Sequence, residues 1–387
     1  MAYIAFDAGT TTLAARLGTE DGIFSAVTEN PQRKIGGADS VSRILAASDP
    51  KRKDRLTELL RGGISDLLIS LCRDAGISAR DVTSAAFCGN TVMTAYFAGE
   101  DPSGMGVYPF TPPELFGRET EIPGSGLSCP VYLFPCASAF IGGDAISDVL
   151  SLLNAGTETP ALLADMGTNG ELMLLTKDRL LGASAAAGPA FEGASLACGS
   201  AAKPGAVSSV SDDGSLTVIG GGAPRSLCGS GVISAAAYML RHGLCTRSGV
   251  IAGEGVPLDR RYYLAPDVYL SGGDIRELLM AKAAICAGVS ALLRHGGLSP
   301  SQLASVRLSG SFGEWLSAED TAEIGLFPRE MADAALPVGN SALTGAFAAA
   351  GDPTLRKKAQ ELAASLETVT LASDPDFSEE FIRCMEF

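Results

Sequence analysis

The stretch Leu162-Leu163-Ala164-Asp165-Met166-Gly167-Thr168-Asn169-Gly170-Glu171 constrains this chain more than any other. An apolar run ends in Asp, then Gly-Thr, then Asn-Gly, which reads as a buried strand, a tight turn and a second strand. Nearly the same phrase opens the chain as Tyr3-Ile4-Ala5-Phe6-Asp7-Ala8-Gly9-Thr10-Thr11-Thr12. Asp7 and Asp165 stand about one domain's length apart. The repeat predicts two similar halves, each delivering one Asp-x-Gly-Thr turn to a shared cleft. Glycine in such a turn lets backbone N–H groups come close to an anion, and the threonines add hydroxyl donors. An aspartate at a strand end suits hydrated Mg²⁺, which takes few carboxylates and keeps several waters. A single turn of this kind is ordinary hairpin chemistry. Two at domain spacing, each after an apolar strand, point to a nucleotide's phosphates and their metal.

Composition narrows the partners. The 387 residues suffice for two or three domains with ample core. A formal net charge of −15 argues against nucleic acid or an anionic membrane as the main partner. Asp7 interrupts the N-terminal apolar run, so no secretory leader is expected, and no apolar stretch reaches membrane-spanning length. The chain is read as cytosolic. Nine cysteines form no Cys-x-x-Cys pair, so structural zinc and iron–sulfur clusters lack their usual spacing, and buried free thiols are expected. With only two histidines, His242 and His295, Ser-His or Cys-His catalysis is disfavoured.

Along the chain, residues 3–29 read as a strand meander and Asp49-Pro50 as a helix start, Asp capping and Pro in the first helical position. Gly89-Asn90-Thr91 reads as a strand-to-helix turn that either lines the cleft or simply caps the helix. Residues 101–128 read as a long Pro- and Gly-rich loop. Residues 137–153 read as a helix interrupted by Gly142-Gly143-Asp144, with Asp144 either ordering an attacking water or merely solvated. Ala186 to Gly193 is a dense small-residue turn. Cys228-Gly229-Ser230-Gly231 opens a helix whose N–H groups form a candidate anion site. Lys282 falls near the apolar face of a long helix, as a snorkelling side chain or a nucleotide contact. In Val306 to Gly313, a strand, glycine turn and helix, Gly310 and Gly313 leave room for a base or ribose. The alanine-rich helix after Asn340 crosses back to the first half.

The paired turns and the Gly310-to-Gly313 turn resemble the acetate and sugar kinase/heat-shock cognate/actin superfamily. Within it the chain is similar to the ATPase part of the reductive activators of corrinoid proteins. Matching stretches are Asp7 to Thr12, Asn30-Pro31-Gln32, Gly89 to Met93, Gly143-Asp144, Asp165 to Glu171, Ala187 to Gly193, Cys228 to Gly231 and Ala281-Lys282-Ala283. The resemblance implies an α/β, two-lobed actin-like ATPase fold: duplicated ribonuclease H-like domains around a nucleotide cleft. Residues 1–157 and 340–387 would form the first lobe and 158–339 the second. It implies ATP and Mg²⁺, with Asp7 and Asp165 holding the metal through water. Gly9, Thr10, Thr11, Gly167, Thr168 and Asn169 would bind phosphates, Asp144 would position the attacking water, Gly310 and Gly313 would bound the adenosine, and Lys282 would be a further contact.

The implied activity is ATP-dependent return of cob(II)amide to cob(I)amide on a partner corrinoid protein or corrinoid-dependent methyltransferase. Activators of this type carry an iron–sulfur domain. No clustered cysteines occur here, so no cluster is expected in this chain, and a separate ferredoxin-like donor would supply electrons unless the reductive role is lost. A small-molecule kinase and a non-catalytic, ATP-gated binding module are the alternatives. Oligomeric state stays open, a homodimer included.

Overall fold

The computed structural model describes residues 2–37, 39–193, 195–252, 260–310 and 316–387. The chain forms two compact units, Met1–Thr157 with Ser341–Thr368, and Glu158–Asn340 with Val369–Phe387.

In the first unit, strands β1 (Ala2–Ala8), β2 (Thr12–Thr19), β3 (Gly22–Glu29), β4 (Val82–Gly89), β5 (Arg118–Thr120) and β6 (Val131–Leu133) form one sheet in the order β3-β2-β1-β4-β6-β5. β1 runs antiparallel to β2 and parallel to β4. Both faces of β1 are buried, which explains its nearly continuous apolar sequence. Ile4 and Phe6 pack with Leu56, Leu60 and Ile64 of the helix Pro50–Asp74. Ala5 faces the other way, toward Ile146 and Leu150 of the helix Gly143–Asn154 and Ala342 and Ala346 of the helix Ser341–Gly351. The Asp49 side chain accepts from the Lys51 N–H and Pro50 fills the first turn, as the sequence predicts.

The expectations for 101–128 and 137–153 need correction. The former contains the edge strand β5, and the latter becomes helical only from Gly143, after extended backbone at Gly142. Asp144 therefore lies in a first helical turn, where the macrodipole favours a carboxylate.

The second unit repeats the plan. Strands β7 (Ala161–Met166), β8 (Gly170–Leu175) and β9 (Leu180–Ala185) form a meander. After β10 (Ala206–Val210), β11 (Leu216–Val218), β12 (Ser226–Leu227) and the hairpin of β13 (Arg261–Ala265) with β14 (Val268–Ser271), the chain returns as β15 (Ser305–Ser309) and β16 (Ala335–Gly339). Within this unit the sheet runs β16-β15-β7-β8-β9, with β15 parallel to β7. The sequence around β3-β2-β1-β4-β6 has the same strand order and the same directions at its centre, so the twin turns sit at equivalent corners of two duplicated sheets. β10 to β14 are additions absent from the sequence-based outline.

The tail departs from the expected partition. Val369–Phe387 belongs to the second unit. The Val369 N–H donates to Gly182 O, Arg294 and His295 contact Asp374, and the Phe387 N–H donates to Arg247 O.

Candidate functional site

In the first unit the turn is closed by the Gly9 N–H, which donates to Thr12 O at 2.9 Å. The Gly167 N–H donates to Asn169 O at the same distance in the second unit. What each glycine contributes is thus its missing Cβ more than its own N–H. The first turn rests on two wholly buried side chains. Asn30 Nδ2 donates to Gly9 O at 2.8 Å, and the Arg43 guanidinium donates to Thr10 O and to Gly37 O. Tyr96 O–H in turn donates to Arg43 O at 2.7 Å. In the sequence Asn30 stands out only as part of a stretch that ends the strand meander and matches the family, and nothing singles out Arg43.

Cys88 stands beside Asp7 on the parallel neighbour strand, its sulfur 3.8 Å from Asp7 Oδ1. Burial and the nearby carboxylates of Asp7, Asp144 and Asp148 push the Cys88 thiol well above its ordinary range. Cys88 is therefore a neutral thiol among three carboxylates, and its position brings Asp7 and Asp144 into one neighbourhood. Asp148 lies one helical turn beyond Asp144, fully buried, and accepts from Ser341 Oγ. Spacing of four on one helix face was the available signal for it. Asn90 caps its helix, Oδ1 accepting from the Met93 N–H at 3.0 Å, which supplies the capping role that the sequence left as one of two options.

Two glycines mark the same corner in both units. A Cβ on Gly89, at the end of β4, would lie 2.8 Å from Ala8 O. A Cβ on Gly310, after β15, would lie 2.8 Å from Met166 O and 3.2 Å from Asp165 Oδ1. Ala8 and Met166 each follow the aspartate of their turn, so a glycine at the end of the neighbouring parallel strand presses on the aspartate strand in the same way twice. Gly310 also has a left-handed φ of 118°. Gly313 lies outside the described residues.

Asp165 pairs directly across β7 and β8 with Glu171. Two carboxylates at one cross-strand position would favour a divalent cation held beside them through water. No group of three or more His, Cys, Asp or Glu that could hold a metal occurs among the described residues. The donor set suits a mostly hydrated Mg²⁺ more than a fully protein-caged metal. Thr168 Oγ1 lies 3.1 Å from Glu192 Oε2, a residue that carried no role in the sequence analysis.

Lys282 has a different occupation from either sequence option. Its side chain is buried rather than snorkelling, and its ammonium donates to Cys384 O at 2.7 Å and to Glu386 O. It holds the C-terminal segment. Cys286, one turn along the same helix, is disulfide-bonded to Cys384, correcting the expectation of free thiols for that pair. At Cys228–Gly231, the candidate anion site, the side-chain protons are already used: Ser230 Oγ donates to Ser208 O and the Cys228 thiol to Val207 O. Burial, with Arg247 nearby, lowers the Lys282 pKa to about 8. Between about pH 8 and its ordinary range the unfolded chain holds this proton and the native chain does not, so stability rises with pH there. Urea titrations should show wild type gaining about 2 kcal/mol relative to Lys282→Met between about pH 8 and pH 10. An identical pH profile in both proteins would contradict this.

No helix among the described residues is long and apolar enough to cross a membrane.

Comparison with known proteins agrees with the duplicated architecture. Residues 159–387 match the family described as the C-terminal domain of RACo, the ASKHA domain, and residues 3–153 match the RACo middle region. The chain is 29% identical over 419 residues to the corrinoid activation enzyme RamQ of Eubacterium limosum, covering 98% of this chain and 69% of that protein. It is 27% identical over 292 residues to the Co(II) methylated amine-specific corrinoid protein reductase of Methanosarcina barkeri, covering 64% of this chain and 52% of that one. A solved reductive activator for corrinoid, iron–sulfur protein superposes with a TM-score of 0.90 at 30% identity, covering 100% of this chain and 66% of its own. The chain thus spans between half and roughly two thirds of these relatives. It belongs to the RACo family, whose middle region and C-terminal actin-like ASKHA domain it carries.

Proposed function

We propose that this chain is the ATP-driven part of a reductive activator of a corrinoid protein. In this reading Asp7 and Asp165 bind hydrated Mg²⁺, and Gly9, Thr10, Thr11, Gly167, Thr168 and Asn169 form the turns that receive phosphates. Asp144 positions the attacking water, and Gly310 and Gly313 bound the adenosine. When bound, Mg²⁺ neutralises phosphate charge and orients the triphosphate. The observation that carries the reading is the recurrence of one aspartate–glycine–threonine corner, with its pressing glycine, in two units of the same strand order. Family membership and the names of the relatives support the substrate.

The partner's cob(II)amide takes one electron to become cob(I)amide. That electron comes from an iron–sulfur donor of the ferredoxin class outside the residues described here. Nucleotide binding and hydrolysis drive the step by favouring one conformation of the complex over another. Lys282 is left out of the nucleotide site because its ammonium holds the C-terminal carbonyls.

The test mixes this chain, a reduced ferredoxin-class donor and the source organism's corrinoid protein in its cob(II)amide state. Absorbance should report cob(I)amide only with hydrolysable ATP and Mg²⁺, and phosphate release should rise when the corrinoid protein is added. ATP binding without turnover under all these conditions would overturn the catalytic reading. A phosphorylated small molecule among the products would replace it with a kinase.

A further inference from the structure

The segment Ala187–Gly193 is the most distinctive in the sequence, yet nothing above gives it a task. Its composition is telling: Ala, Gly, Pro, Ala, Phe, Glu, Gly. Only one of these side chains is polar, and that is Glu192. Everything around it serves to fix its place. Phe191 is fully buried and Ala190 nearly so, both within the core of the second unit. Pro189–Glu192 forms one 3-10 turn, and left-handed glycines bound it, Gly188 at φ 74° and Gly193 at φ 71°. A Cβ on Gly193 would lie 2.7 Å from both the backbone N and O of Ser200. The turn is thus clamped between a buried ring and a neighbouring backbone, and it aims a single carboxylate.

The target is the Asp-x-Gly-Thr turn. Glu192 Oε2 accepts the Thr168 hydroxyl proton at 3.1 Å, and Oε1 lies 3.6 Å from where a Cβ on Gly167 would stand. The carboxylate therefore spans the two residues assigned to phosphate.

The consequence follows from counting protons. A threonine hydroxyl has one proton and two lone pairs. With its one proton directed at Glu192, the Thr168 oxygen can meet a further group only as an acceptor. Phosphate oxygens are acceptors too, so they gain nothing from that face and are repelled by the Glu192 charge. A divalent cation, or the protons of its bound water, meets the same face favourably.

We propose that Glu192 is a specificity-determining, positioning residue: by orienting the Thr168 hydroxyl as an acceptor and adding negative charge beside it, it makes the second turn accept a nucleoside triphosphate only together with its divalent cation. The proposal rests on the nucleotide reading above and deepens it. It changes one role, since the Thr168 hydroxyl moves from the phosphate side to the metal side.

The experiment is isothermal titration of the full chain with ATP, once in excess Mg²⁺ and once in EDTA. Wild type should bind Mg-ATP far more tightly than metal-free ATP. In Glu192→Ala the hydroxyl is released to donate to phosphate and the repelling charge is gone, so the ratio of the two affinities should fall at least tenfold. Glu192→Gln keeps an oxygen for Thr168 but loses the charge, and its ratio should fall between the two. That variant also carries the test if Glu192→Ala does not fold. Normal wild-type binding with an unchanged ratio in the folded variants would overturn this proposal alone. A wild type that binds ATP in neither condition would overturn the nucleotide reading, and this proposal with it.

Discussion

Asp165→Asn should lower Mg-ATP hydrolysis at least about a hundredfold, on the scale of removing one group that faces transition-state charge. The fold should survive the change. Asparagine has the shape of aspartate, and the side chain is half-buried at the end of β7. Thermal melts should therefore place stability within about 1 kcal/mol of wild type. What the variant loses is the charge that orders the metal's water shell, so raising Mg²⁺ should restore little of the rate. Asp178→Asn, an exposed change on the connection between β8 and β9, is the matched control and should leave hydrolysis untouched. A folded Asp165→Asn protein with wild-type turnover would remove Asp165 from the mechanism and with it the metal role given to the second turn.

The parts of this site legible from sequence were those that local chemistry dictates. An apolar run ending in Asp-x-Gly-Thr fixes a strand and its turn within ten residues, and Asp49-Pro50 fixes a helix start within two. The recurrence of the phrase gave away the duplication, because identical local signals fold into identical corners. Residues that reach the turns from elsewhere gave no such signal. Arg43 supports Thr10 from the short helix Ser40–Ala47, and Cys88 meets Asp7 only through parallel register between β1 and β4. Glu192 meets Thr168 because two glycines and a buried phenylalanine hold it there, and no periodicity encodes that encounter. Sequence alone places the tail in the other unit because its anchors, Lys282, Arg247 and Gly182, are all distant along the chain. Sequence alone places Asp144 in mid-helix because helical spacing continues through Gly142, whose extended backbone accompanies close packing on the Gly89–Asn90 corner.

That packing makes Gly142→Ala a damaging small substitution in the first unit. A methyl group there would lie 2.5 Å from Asn90 Cα, 2.6 Å from Asp144 Oδ1 and 2.8 Å from Gly89 O. Two of these atoms are backbone, so no rotamer change relieves the clash. The helix Gly143–Asn154 must shift away from the Gly89–Asn90 corner, at a cost of about 2–3 kcal/mol typical of overpacking. The third atom belongs to the carboxylate proposed to position water, so a loss of hydrolysis larger than the loss of folded protein should accompany the fall in melting temperature. Gly62→Ala is the instructive contrast. Gly62 lies inside the helix Pro50–Asp74, and nothing stands within 4 Å of where its Cβ would be. There the same chemical change should stabilise by up to about 1 kcal/mol through helix propensity, with hydrolysis unaltered. Opposite signs from one added methyl group would separate a glycine kept for close approach from one that merely weakens a helix. Equal and small effects at both sites would mean that the start of the Asp144 helix does not press on the Gly89–Asn90 corner, and the close approach of Asp144 to that corner would have to be given up.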